Sequence, residues 1–173
     1  MNGIDEGVIN YALYEDGKRL LGVAKVTMPD KVSKTFTING AGIGGDIELP
    51  VKAARNAMKI KIEFRNANES AYILEENRVH LVDLRVLHQN ADYMHGELKE
   101  TGHKFVLKII PTSFSGGDIE TAKAQPVSGE FSVLSLKEYI EEKLMRHIDP
   151  VNMIDVDHTG KDRAESIRRA LGM

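Results

Sequence analysis

The chain has 173 residues, of which 42% are hydrophobic and 28% charged, with a formal net charge of −3. That length suits one domain with a substantial core, and the composition is that of a globular protein. The acidic balance argues against non-specific nucleic-acid binding, and zero cysteines exclude disulfides, thiolate metal sites and cysteine nucleophiles. No apolar run approaches a membrane span, and the stretch 1–7 lacks the basic and apolar regions of a signal peptide. The expectation is therefore synthesis in a cytoplasm and no stable membrane association.

In chain order, residues 8–14 and 19–27 read as strands around Glu15-Asp16-Gly17-Lys18, because Asp-Gly between apolar runs is a strong hairpin signal. Met28-Pro29-Asp30 breaks the chain. From Lys31 the sequence alternates: Val32, Lys34, Phe36 and Ile38 take one side of an extended chain, and Ser33, Thr35, Thr37 and Asn39 the other. A glycine-rich loop at about 39–50 follows, where Gly40, Gly42, Gly44 and Gly45 permit positive φ and close backbone approach. Residues 51–57 suggest a short helical turn.

Residues 58–65 alternate apolar and charged without fault, a half-solvated antiparallel strand. A helix is expected at about 69–77, capped by Asn68 or Ser70 and docking through Tyr72, Ile73 and Glu76. Residues 79–89 return to strand, Glu100-Thr101-Gly102 reads as a turn, and 103–110 forms a strand ended by Pro111. A long loop spans about 111–128. After an extended run at 130–136, residues 136–148 fit either an amphipathic helix or two strands around a polar turn. Asp149-Pro150 begins a tail, 149–173, with a short basic helix ending at Gly172.

Few patterns suggest chemistry. Gly40-Ala41-Gly42-Ile43-Gly44-Gly45 fits G-x-G-x-x-G, with Glu63 downstream as a candidate ribose ligand. However, the preceding strand carries Lys, Ser and Thr, and Asp46 and Glu48 would face the phosphates. Asp155-x-Asp157 with Gly160 resembles the start of a calcium loop, but Ser166 replaces the bidentate glutamate, so a polar turn is the simpler account. The six histidines show no metal-ligand spacing and read as exposed strand or loop residues. Ser115-Gly116-Gly117 is not a nucleophile elbow. No catalytic residue, cofactor or metal is expected.

Two blocks carry a resemblance. The first is Gly22-Val23-Ala24-Lys25, Met28-Pro29, Lys34, and Gly40-Ala41-Gly42 with Gly45. The second is Ile148-Asp149, Asn152-Met153-Ile154, Gly160, Asp162-Arg163, Glu165, Arg168-Arg169 and Gly172-Met173. In these the chain resembles the major tail tube proteins of contractile-tailed phages, relatives in kind of bacteriocin tubes. The resemblance implies a single mainly β domain over 1–173, a sandwich or barrel of antiparallel strands with one flanking α-helix and long hairpins. It implies hexameric rings stacked into a hollow conduit for DNA or ions, with DNA only as passing cargo. The implied partners are sheath, tape measure, baseplate and tail terminator proteins, in a virion tail or bacteriocin particle assembled in the host cytoplasm. Subunit contacts are then expected at Gly40, Ala41, Gly42, Gly45, Asn152, Met153, Ile154, Asp162, Arg163, Arg168 and Arg169, with Ser33, Thr35, Thr37 and Asn39 lining a water-filled bore and the Phe36/Ile38 side packed on the subunit core. Residues 139–144 would be a strand-to-strand turn, although Glu141-Glu142-Lys143 departs from the family's glycine-bearing turn. Two alternatives stand beside this: a soluble enzyme binding a nucleotide at Gly40–Gly45, and a monomeric binding β-sandwich.

Overall fold

The computed structural model describes residues 3–92 and 94–173. Met1 and Asn2, the start of the N-terminal stretch, lie outside the described residues. Eleven strands and two short helices follow in the order β1 (Gly3–Glu15), β2 (Lys18–Arg19), β3 (Val23–Thr27), β4 (Ser33–Ile38), β5 (Ile47–Arg55), β6 (Met58–Phe64), α1 (Glu69–Glu75), β7 (His80–Asp92), β8 (Glu97–Ser115), β9 (Val127–Ile140), β10 (Lys143–Asp149), β11 (Ile154–Val156) and α2 (Glu165–Ala170).

Nine strands form one antiparallel sheet with the path β11-β10-β9-β8-β7-β1-β2. β9 is the branch point: its first half pairs β6, which carries β3, and its second half pairs β10. The two arms of that branch let the sheet curl around a single core. Leu13 of β1, Val82 and Leu84 of β7, Leu107 and Ile109 of β8, and Phe131 and Val133 of β9 meet Met58, Ile60, Ile62 and Phe64 of β6 there. Each fully buried aliphatic or aromatic side chain of this kind contributes about 1.5–3 kcal/mol. Among the described residues the sheet does not close into a barrel.

The alternation in β6 appears as expected, with Met58, Ile60, Ile62 and Phe64 all buried. The Asp16-Gly17 turn joins β1 to β2, both residues at positive φ. Asn68 caps α1 through its side chain, accepting from the Ala71 N–H. The helix docks through Ala71 and Leu74; Tyr72 is exposed, so the docking face expected at Tyr72, Ile73 and Glu76 is displaced by a turn position.

Several expected breaks are strand. β8 runs through Glu100-Thr101-Gly102 and through Pro111, because the β7–β8 turn lies earlier, around Gly96, and a register shift beside Pro111 accommodates its missing N–H. The long loop shrinks to 116–126. The ambiguous segment 136–148 is a hairpin of β9 and β10, turned by Glu141 and Glu142 at φ 47° and 67°. Residues 51–54 are not helical. They form a bulge in β5, where Ser33 pairs Arg55 but Thr35 already pairs Pro50, with Ala53 at φ 55°.

The histidines are not all exposed. His80 is fully buried; its Nδ1 meets the Glu15 carboxylate and its Nε2 donates to the Glu76 carbonyl at 2.9 Å. Arg78 reaches the same carboxylate at 2.7 Å, tying β1, α1 and β7 together.

Candidate assembly surface

β4 and β5 form a two-stranded sheet of their own, strand-paired only with each other among the described residues. Opposite residues of an antiparallel pair share a face, so Phe36 with Leu49 and Ile38 with Ile47 make one apolar face. All four are exposed, Phe36 by 58%. The expectation that the Phe36/Ile38 side packs on the subunit core is thus corrected: among the described residues, none of β4 or β5 belongs to the core. The other face carries Thr35, Thr37, Pro50 and Glu48, all exposed, with Ser33 at the root and Asn39 in the loop. An isolated two-stranded hairpin is marginal in water, and this one leaves its apolar face exposed.

Gly40, Ala41, Gly42 and Gly45 lie at the arm's tip in an exposed loop of residues 39–46. Gly42, at φ 89°, occupies a backbone conformation a side chain resists. A Cβ at Gly40, Gly42, Gly44 or Gly45 meets nothing within 4 Å, so no packing within the chain requires these glycines. A strand, β5, follows the loop, whereas a phosphate-binding G-x-G-x-x-G opens a helix.

The second block builds a polar knot at the C-terminus. Asn152 donates to Asp149 from both its backbone and its side chain, at 3.0 and 2.8 Å, forming the turn in which Met153 sits at φ 51°. Ile154 opens β11. Asp162 accepts from the Asp155 and Ala164 N–H groups and pairs with Arg168 at 2.7 Å, while Arg168 also donates to the Met153 carbonyl. Burial pushes the Asp162 carboxyl up, but the two N–H donors and Arg168 outweigh it and leave the carboxyl below its usual range. Asp149 behaves alike, burial being outweighed by the Asn152 bonds. Arg163 and Arg169 are more exposed, held loosely to Asp157 and Glu165.

Asp155 is no calcium ligand here. Its carboxylate accepts from Arg55 at 2.9 and 3.2 Å and from Arg146 at 3.2 Å. Asp157 instead accepts from the Thr159 hydroxyl and from the Thr159 and Lys161 N–H groups, which pull its carboxyl down to about 2. Arg55, Arg146 and the Lys31–Glu138 pair were missed by sequence reasoning. Arg55 was hidden inside the supposed helical turn, and nothing local marks its partner a hundred positions away.

On the outer face of the main sheet a trough of about 730 Å³ is lined by Tyr11, Tyr14, Tyr139, Arg85 and Lys104, among others. Arg85 lies 4.9 Å over the Tyr14 ring, and Asp83 pairs with both cations. Its lining includes no serine, threonine or cysteine to serve as a nucleophile.

An open-edged β subunit with an uncovered arm defines a class: a protein that completes itself against other chains. The sequence matches the family of the phage tail tube protein FII over residues 5–172, and the chain belongs to that family. It is a tail tube protein. Among solved structures, its fold resembles a chain of an extracellular contractile injection system, the PVC sheath/tube terminator in the extended state. The TM-score is 0.51 at 12% identity, covering 76% of this chain and 94% of that one. A chain of the PVC sheath–tube complex in the extended state matches with TM-score 0.50 at 12% identity, covering 75% and 88%. At such identity the likeness is one of fold. A search of curated proteins finds no match.

Proposed function

We propose that six copies of this chain join through their sheet edges into a ring, and that rings stack into the hollow inner tube of a contractile tail. The observation that carries this reading is the β4–β5 arm, whose apolar face, Phe36, Ile38, Ile47 and Leu49, is exposed. β1 adds a long edge: among the described residues its far side is strand-paired only at Tyr14 and Glu15. Unpaired edges are templates for further strands, and a heterologous contact that closes by rotation gives a ring.

In this reading Gly40, Ala41, Gly42 and Gly45 are the contact at the arm's tip. Asn152, Met153, Ile154, Asp162 and Arg168 hold the tail in shape behind that contact, and Arg163 and Arg169 lie on the tail's exposed side. Ser33, Thr35, Thr37 and Asn39 face the bore, where DNA or ions pass. The partners are sheath, tape measure, baseplate and terminator proteins, in a phage tail or a bacteriocin-like particle assembled in the host cytoplasm. The chain acts as structure and not as an enzyme. Negative-stain microscopy of the purified protein tests this: rings or hollow rods are expected, and a uniformly monomeric protein at every concentration refutes it.

A further inference from the structure

The arm is not held to the body by a sheet ladder or by the core. Its extensive strand contacts are internal, and no residue of β4 or β5 belongs to the apolar core. Besides a bond from Lys52 Nζ of β5 to the Ser166 hydroxyl of α2 at 2.9 Å, what joins the two is a row of five charges. Lys31, just before β4, pairs with Glu138 of β9 at 2.5 Å. Glu138 stands directly across from Arg146 of β10. Arg146 pairs with Asp155 of β11, and Asp155 with Arg55 at the end of β5. Both roots of the arm are thereby fastened to one strip of the body. The row closes on itself where Arg55 reaches the Lys31 carbonyl at 3.5 Å.

The inner members are desolvated: the Arg55 side chain is 8% exposed and Asp155 4%. Such a pair is screened little by salt, and its direction is fixed by the guanidinium fork. The C-terminal knot presents Asp155 for this contact, since Asp162 holds the Asp155 N–H at 3.1 Å and Arg163 N–H donates to the Asp155 carbonyl at 2.9 Å. The arrangement is also not optimised for stability alone. Three cations share two carboxylates, and the Nε of Arg55 and of Arg146 is buried with no partner among the described residues. A core of apolar side chains would hold the arm at lower cost in desolvation. It would not let go.

We infer that the Arg55–Asp155–Arg146 cluster, with Lys31–Glu138, is a latch that sets the angle of the β4–β5 arm, and that the arm swings as a unit when the latch is opened. The bulge at residues 51–54 lies just outside the latched root pair Ser33–Arg55, so the root is clamped while the blade beyond it can bend. The latch is a property of the single subunit and does not depend on ring formation.

The test uses the full chain at a concentration where light scattering shows a monomer. The protein has no cysteine, so Thr37→Cys on the arm and Lys59→Cys on β6 give two unique spin-label positions for pulsed-dipolar distance measurement. Arg55→Met removes the clamp while leaving Arg146 to neutralise Asp155. In that variant the distance distribution is expected to broaden about twofold or more relative to the doubly labelled parent with its latch intact. Lys31→Met opens the more exposed end of the row and is expected to broaden it in the same direction, which keeps the test alive if Arg55→Met fails to fold. Distributions identical to the parent in the folded variants overturn the latch, whatever the protein does under the microscope.

Discussion

The β9–β10 turn offers a clean energetic test, because its chemistry and its geometry disagree. Glu141 and Glu142 sit at φ 47° and 67°, the pair of positive values that a two-residue hairpin of the type favouring Asn-Gly requires. Both are exposed, and neither makes an ion pair among the described residues. The left-handed conformation costs a residue with a side chain about 1–2 kcal/mol. Two such residues therefore carry roughly 2–4 kcal/mol. Asparagine retains part of that cost, and glycine returns about 0.5–1 kcal/mol through the freedom it gives the unfolded chain. Glu141→Asn with Glu142→Gly should thus stabilise the monomer by about 1–2 kcal/mol, raising the unfolding midpoint by about 2–8 °C for a chain of this size. The bond from the Glu141 N–H to the Gly102 carbonyl, 3.0 Å, is a backbone bond and survives the change. Calorimetry of the monomer at neutral pH reads the shift. A midpoint that stays or falls would show that the turn is not strained, and the assignment of this segment as a tight hairpin would be wrong.

Three further outcomes follow from the same geometry. Gly117→Ala places a Cβ 1.9 Å from the Pro126 carbonyl oxygen at φ 69°, so it should cost about 1–3 kcal/mol in urea unfolding; an unchanged midpoint would mean the 116–126 loop is free to open. Asp149, Asp157 and Asp162 all have carboxyls depressed in the fold, Asp157 to about 2. Their contribution is complete above the unfolded carboxyl value of about 4 and is lost as pH falls through the folded values. Thermal stability should therefore drop between about pH 4 and pH 2, less steeply in Asp157→Asn, and a parallel pair of curves would remove Asp157 from the account. Gly42→Val forces a side chain onto φ 89° at a tip that touches nothing in its own chain. It should abolish rods under the microscope while circular dichroism still shows a folded β protein, and rods from this variant would take the glycine tip out of the contact.

The parts of the fold legible in the sequence are those fixed by neighbours in the chain. β6 declares itself by alternation, the β1–β2 hairpin by Asp16-Gly17, and α1 by Asn68 before its first turn. Misreadings cluster where a local signal is overruled from a distance. Gly102 and Pro111 punctuate a peptide, yet β8 passes through both because β7 pairs it across Gly102 and β9 pairs it across Pro111. His80 looks like any strand histidine until Glu15, sixty-five positions away, closes over it. Residues 51–57 suggest a helical turn from their local sequence, and only the register of Ser33 against Arg55, with Ala53 at φ 55°, reveals a bulge at 51–54 instead.

The two sequence blocks that resemble tail tube proteins are separated by most of the chain, and the structure gives that separation a physical meaning. The first block ends in an arm that lacks a core of its own; the second ends in a knot that has few apolar residues to bury. Neither is a stable unit. Arg168 on Asp162, Asp162 on the Asp155 backbone, and Asp155 on Arg55 form a continuous line of charge-assisted bonds from the last helix to the root of the arm. Residues that look like surface decoration in the tail therefore determine where the glycine tip, some ten residues beyond Arg55 along the hairpin, is aimed. Reversing Arg168 and Arg169 to Glu would then act on assembly chiefly through Arg168 and the arm's pose, since among the described residues Arg169 pairs with Glu165 on its own helix turn. Arg169→Glu alone should leave rod formation close to normal, and Arg168→Glu alone should impair it. The opposite ranking would place the tail directly in the subunit contact and leave the arm to be aimed by something else.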